Sequence, residues 1–198
     1  MSDYKLTYFD FAGSRGEEIR IAFRMAGVAF DDNRLSFEEF EKIKPELPFG
    51  SLPILEVKDR GVITQTNAIL RLIGRQHGFH PEERFTAARH DEVMETVEDL
   101  RHKIFATMRI EDPAMKKAAR QALAANYIPK WGAGVEGLIK TGPFLAGDTP
   151  NVADIKLYMA EKWISSGDID DIPKGIFEPF VKLKAVAEAI RHHPSALK

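Results

Sequence analysis

A chain of 198 residues with 44% hydrophobic and 29% charged positions has room for one large domain or two small ones, and disorder is excluded as its main state. Its 28 Lys and Arg against 30 Asp and Glu divide evenly, 11 against 12 over residues 1–80 and 17 against 18 over 81–198, which leaves no basic surface for nucleic acid or anionic membrane. With zero cysteines, disulfides, thiolate metal sites and a cysteine nucleophile are excluded, so thiol chemistry would have to arrive with a ligand.

Tyr4-Lys5-Leu6-Thr7-Tyr8-Phe9 is rich in β-branched and aromatic residues and ends at a small-residue turn, which predicts a first strand. Ile19, Ala22, Phe23 and Ala26 then recur at helical spacing behind Glu17 and Glu18, and Gly27 supplies a stop. A second strand is expected over residues 28–35, and a short irregular helix over 37–44. Pro53 to Val57, the Asp59-Arg60-Gly61 turn and Val62 to Thr64 read as an antiparallel hairpin, with glycine where positive φ is needed. A helix follows from about Gln65, with Ala68, Ile69, Leu72 and Ile73 on one face, and runs out near His77-Gly78. The order βαβ, loop helix, ββα predicts an α/β, thioredoxin-like first domain over residues 1–80.

Beyond Phe79 to Phe85 the strand signals vanish. Val93, Val97, Leu100, Ile104 and Met108 keep a helical period, and Pro113 breaks it. One helix is expected over 114–140, another from near Asn151, a short one around 173–177 and a last one over 178–192. The second domain, 81–198, is therefore expected to be all-helical. No run approaches the ~18 apolar residues that span a bilayer, and Met-Ser-Asp-Tyr-Lys lacks a basic-then-apolar leader, which predicts a cytoplasmic protein without a membrane partner. The six histidines show no metal-ligand spacing and read as surface residues, and no metal ligand is assigned.

Three short motifs bear on chemistry. Pro53 either opens a strand, where its missing N–H is tolerated, or follows a cis bond that turns the Leu52 N–H and C=O outward toward an extended peptide. Gln65-Thr66-Asn67 opens a helix, so Thr66 or Asn67 either caps it or shares its unpaired donors with a ligand carboxylate. Tyr8 either packs with a satisfied hydroxyl or uses that hydroxyl on a ligand.

Together, Tyr4 to Phe9, the segment Leu47-Pro48-Phe49-Gly50-Ser51-Leu52-Pro53-Ile54-Leu55-Glu56-Val57 and Gln65-Thr66-Asn67-Ala68-Ile69 resemble the sigma-class cytosolic glutathione transferases, a class that includes the glutathione-dependent prostaglandin D synthase branch. The resemblance runs from residue 4 into the last helix. It implies that Tyr8 donates to the glutathione sulfur, with Arg15 adding positive field. It implies that Leu52, next to Pro53, pairs through its backbone with the cysteinyl unit. Gln65 and Thr66 match the residues that take the γ-glutamyl carboxylate, and Phe40 and Lys44 fall at the glycyl end. Asp99 resembles the acid that reaches the γ-glutamyl amine across a homodimer interface. Asn151 and Asp154 resemble the family's buried N-capping box. Three departures stand out: the loop Ala12 to Gly16 is one residue longer than in mammalian members, Phe40 replaces a frequent tryptophan, and Ser51 replaces a common lysine or glutamine.

The acids Asp91, Glu92, Glu95, Glu98 and Asp99 read as a solvated helix face, although two such helices across a two-fold axis could attract a divalent ion. Phe11, Ala12, Arg101, Phe105 and Met108 are candidates for the acceptor pocket, with an exposed helix position as the commoner reading of Arg101. A cysteine thiol with a pKa of about 8.5 needs roughly 2.7 kcal/mol of preferential anion stabilisation to fall by about two units. One hydrogen bond to an anion supplies about 1.5–3 kcal/mol, so a single tyrosine hydroxyl accounts for much of it. The expected activity is conjugation of the glutathione thiolate, as co-substrate, to electrophilic, largely apolar small molecules. The alternatives are a glutathione-dependent isomerase of the prostaglandin-D-synthase kind and a non-catalytic glutathione or ligand carrier.

Overall fold

The computed structural model describes residues 2–196. The chain forms two compact units. One takes the residues up to His80 together with the segment from His193, and the other runs Pro81–His192.

The first unit contains β1 (Tyr4–Phe9), α1 (Ser14–Ala26), β2 (Asp31–Leu35), α2 (Phe37–Ile43), β3 (Ile54–Val57), β4 (Gly61–Thr64) and α3 (Thr66–His77). The sheet order is β2-β1-β3-β4; β1 runs parallel to β2, whereas β1 with β3 and β3 with β4 are antiparallel. A parallel pair needs a crossover, which α1 supplies. Leu6, Thr7 and Tyr8 are all buried, as expected of a central strand covered on both faces. Ile19 and Phe23 of α1 and Ile69, Leu70 and Ile73 of α3 are fully buried, each stabilising the fold by about 1.5–3 kcal/mol. Residues 28–30 are not part of the second strand. Gly27 takes the left-handed conformation at φ 65°, and Val28 N–H donates to Phe23 O at 3.0 Å, so this segment closes the end of α1 instead. Ser36 opens α2 with a capping box: its hydroxyl accepts from Glu39 N–H, and the Glu39 carboxylate accepts from Ser36 N–H at 2.7 Å. The C-terminal segment is tied to this unit by Arg24 Nε, which donates to Ala196 O at 2.9 Å.

The second unit contains α4 (Arg84–Met108), α5 (Pro113–Ala122), a π-helical turn (Leu123–Tyr127), α6 (Ile128–Leu138), α7 (Val152–Ser165) and α8 (Val181–Arg191). The helix expected over 114–140 is thus one rod interrupted by a wide turn, and it stops at Leu138. Pro129 has no N–H to donate to Ala125 O, and its ring would crowd that carbonyl; the wide turn absorbs both effects. Residues 173–177 form successive turns rather than a helix, with Ile176 N–H donating to Pro173 O and Glu178 N–H to Gly175 O, both at 3.0 Å. The last helix begins at Val181 rather than at Glu178, because Phe180, at φ −101° and ψ 80°, is not helical and its N–H donates to Phe177 O at 3.0 Å in the preceding turn. The first turn of α8 is capped from another helix: Glu136 of α6 accepts from Lys182 N–H at 2.9 Å and Leu183 N–H at 3.0 Å.

Asn151 and Asp154 form the capping box at α7. Asn151 Oδ1 accepts from Ala153 N–H at 2.9 Å, and Asp154 accepts from Asn151 N–H at 2.8 Å and from Leu145 N–H at 2.7 Å. Asp154 is fully buried, and that burial pushes its carboxyl up to about 7, with the two N–H donors opposing the shift. The reading of all six histidines as surface residues fails at two positions, since His80 and His90 are buried. His90 is held by its own helix, with Nδ1 donating to Thr86 O at 2.7 Å. Among the described residues, no helix is long and apolar enough to cross a membrane.

Candidate active site

The register of the sheet places most of the sequence-predicted residues together. The β1–β3 ladder ends at Thr7↔Ile54 and the β3–β4 ladder at Ile54↔Thr64. One step further along the same register stand Tyr8, Pro53 and Gln65, with Leu52 and Thr66 one step beyond. The end of β1, the start of β3 and the start of α3 therefore meet at one end of the sheet. The Leu52–Pro53 peptide is cis.

Tyr8 is 5% exposed, with its ring edge-on to Phe9 at 5.3 Å and tilted against Phe11 at 5.8 Å. Phe9 in turn meets Phe40 at 5.1 Å and Phe37 at 4.6 Å, which brings α2 to the same end of the sheet. Lys44 Nζ lies 5.4 Å from the centre of the Phe40 ring and pairs with Glu41 at 3.1 Å. Lys44 stands just past α2 as a flexible ammonium beside an aromatic wall that has no N–H of its own. Arg15 is half-buried in the first turn of α1.

The start of α3 departs from an ordinary cap. Gln65 occupies the N-cap with φ 67° and ψ 115° and makes no side-chain cap bond. Thr66 and Asn67 follow as the first two helical residues, so neither is the cap. Both are buried, and among the described residues Thr66 Oγ1 and Asn67 Oδ1 have no hydrogen-bond partner. A helix start with donors left uncapped by side chains has the chemistry that receives a carboxylate.

Two residues that sequence reasoning missed shape this end of the sheet. Arg20 is fully buried. Its Nε donates to Asp32 at 3.0 Å, Nη1 to Phe11 O at 3.2 Å and Nη2 to Phe9 O at 3.3 Å. The Asp32 charge allows a guanidinium to be buried, and the guanidinium then fixes the chain on both sides of Asp10. Gly16 faces the Tyr8 ring directly. The sequence signal for Arg20 is an arginine among the apolar residues of an otherwise core-facing helix; for Gly16 there is only a glycine in a helical first turn, which is weak.

In the second unit, Asp99 is exposed on α4. Arg101, expected at an exposed helix position, is 2% exposed and pairs with Glu98 at 2.8 Å. Glu98 also receives the fully buried Lys156 ammonium, so it belongs to a buried ion cluster rather than to a solvated face. Phe105 packs on Trp163 at 5.2 Å, and Met108 is 40% exposed. Within this unit, a cavity of about 310 Å³ is lined by Phe85, Arg89, His90, Leu138, Lys140 and Leu145 among others, and none of the predicted acceptor-pocket residues lines it.

A thioredoxin-like sheet with a buried tyrosine at its end, followed by a helical unit, has the two-part architecture that the sequence resemblance implies, and comparison with known proteins agrees. Residues 4–75 match the family model for the glutathione S-transferase N-terminal domain, and residues 98–197, half of the chain, match that for the C-terminal domain. The chain is 42% identical over 110 residues to glutathione S-transferase 1 of Ascaris suum, covering 56% of this chain and 52% of that protein. It is 31% identical over 161 residues to glutathione S-transferase 3 of Caenorhabditis elegans, covering 78% and 77%. Among solved structures, prostaglandin synthase D of Nilaparvata lugens superposes with a TM-score of 0.85 at 29% identity, covering 98% of this chain and 94% of that one. The chain belongs to the glutathione S-transferase family.

Proposed function

We propose that this glutathione transferase conjugates the glutathione thiolate to electrophilic, largely apolar small molecules, and that Tyr8 holds the sulfur as its anion. The Tyr8 hydroxyl donates to the sulfur, and the Arg15 guanidinium adds positive field near it. Leu52 pairs with the cysteinyl backbone beside Pro53, Gln65 and Thr66 take the γ-glutamyl carboxylate, and Phe40 and Lys44 hold the glycyl end. Asp99 of a second copy takes the γ-glutamyl amine in a sigma-class-like homodimer. The thiolate attacks the electrophilic carbon, a C–S bond forms, and the leaving group departs or the adduct takes up a proton. Such a role in detoxification suits the cytoplasm, where glutathione is kept reduced.

The observation that carries this reading is the sheet register, which sets the buried Tyr8 beside Pro53, with Gln65 on the far side of Pro53 at the same end of the sheet. A Tyr8→Phe variant tests it. Glutathione should still bind within a few-fold, while the thiolate absorbance at neutral pH and the conjugation rate both fall sharply; unchanged conjugation removes Tyr8 from its role. An Asp99→Ala variant should weaken glutathione binding and leave the thiol's acidity alone.

The likeness to prostaglandin synthase D favours a second reading, a glutathione-dependent isomerase in which the thiolate adds and later leaves. Mass balance separates the two. Loss of glutathione with a model electrophile supports conjugation, and isomerised product without loss of glutathione supports the alternative.

A further inference from the structure

We propose that Gly16 is the positioning residue that sets where the Tyr8 hydroxyl lies; this rests on the thiolate-stabilising role of Tyr8 given above. A Cβ built on Gly16 would sit 2.1 Å from Tyr8 Cδ1, 2.4 Å from Cγ and 2.9 Å from Cβ. Contacts that short are overlap, and they fall on the rigid ring and its root, not on a mobile tip. The Tyr8 ring therefore lies directly on the backbone of the first turn of α1, in space that any other residue at position 16 would fill.

The surroundings leave the ring little freedom to retreat. Phe9 and Phe11 pack against it at 5.3 and 5.8 Å, and the Arg20 guanidinium holds the carbonyls of Phe9 and Phe11 at 3.3 and 3.2 Å. Arg20 and Gly16 belong to the same helix, so α1 grips the strand end through its guanidinium and receives the ring through its glycine. Gly16 is not in the left-handed region, so conformational freedom does not explain its use here; close approach does. The contact matters for chemistry because a hydrogen bond to a thiolate weakens steeply with distance and angle, and the hydroxyl is carried at the far end of the ring from the point of contact. A small rotation at the root is amplified at the hydroxyl.

The test is Gly16→Ala, read by the pKa of the bound glutathione thiol from its thiolate absorbance, together with separate kcat and KM for glutathione. The thiol pKa should rise by about one unit, a tenfold loss of thiolate well below that pKa. kcat should fall in step, and KM for glutathione should change less than threefold. A merely structural role for Gly16 would lower the melting temperature and leave the thiol pKa alone; a folded Gly16→Ala protein with a wild-type thiol pKa overturns the proposal. Introduced into Tyr8→Phe, the same substitution should cause no further change in thiol pKa, because the hydroxyl it displaces is already gone. A further rise in that background also overturns it. If Tyr8→Phe itself leaves the thiol pKa unchanged, the fault lies in the role of Tyr8, and the proposal falls with it. Should Gly16→Ala not fold, the wild-type protein still decides: the Gly16 α-protons should resonate far upfield under the Tyr8 ring current, and ordinary glycine shifts would refute the contact.

Discussion

Asp154 offers a sharp test of how burial and hydrogen bonding compete in this fold. Its carboxyl is fully buried at the start of α7 and accepts two backbone N–H bonds, from Leu145 and Asn151. Replacing it with alanine orphans both donors, at about 1–3 kcal/mol each, so a loss of roughly 2–6 kcal/mol is expected where the wild-type group is comfortable. Protonation decides where that is. The carboxyl titrates at about 7 in the folded chain, against 3.8 for the unperturbed group. A raised acid pKa means that the folded state binds the proton more readily than the unfolded state. Stability from this group is therefore greatest below the unperturbed value and declines as pH rises toward 7. Between pH 5 and pH 8 the decline is about 3 kcal/mol, at 1.36 kcal/mol per unit. Urea denaturation of wild type and Asp154→Ala across this range should show a cost of substitution that is larger at pH 5 than at pH 8. A cost that is constant, or larger at pH 8, would show that the two N–H donors keep the carboxylate ionised throughout and would refute the dominance of burial.

Other substitutions probe separate parts of the fold. Glu136→Ala removes the acceptor for Lys182 N–H and Leu183 N–H, and should lower stability by about 1–3 kcal/mol in denaturant titration; exchange of those two amides should speed up selectively. Gly132→Ala places a Cβ 2.4 Å from Phe180 Cε2, which should cost about 1–3 kcal/mol by thermal unfolding, with Phe180→Leu in the same chain recovering part of it. Glu83 accepts from Phe85 and Thr86 N–H, which holds its carboxyl below the usual range. Its contribution is present above the ordinary carboxylate value of 4.5 and lost as pH falls through the lowered folded value, so Glu83→Gln should flatten the acid limb of a stability profile and leave the slope between pH 5 and 8 unchanged.

Much of the architecture was legible in the one-dimensional pattern. The alternation and composition of residues 4–9, the Asp59-Arg60-Gly61 turn and the helical spacing of Ile69, Leu72 and Ile73 are local signals, and local backbone preference decides them. Where expectation and fold differ, the cause is a local backbone feature. Pro129 removes an N–H and crowds a carbonyl, which widens a helical turn without disturbing the apolar period used to predict the helix. Residues 28–30 carry strand-like composition, yet they close the end of α1 because Gly27 turns the chain back on that helix.

The candidate site divides in the same way. Tyr8, Leu52, Pro53, Gln65 and Thr66 were legible as candidates because their motifs lie within short segments of the chain, and the sheet register brings those segments to one end. Tertiary structure alone decided that Arg20 holds the strand end and that the Tyr8 ring lies against Gly16, that Glu98 and Arg101 belong to a buried ion cluster with Lys156, and that His90 faces inward. Each of those outcomes depends on what a side chain meets from a distant part of the chain or from a neighbouring turn. Charge or size at one position does not reveal whether a partner will be there to meet it.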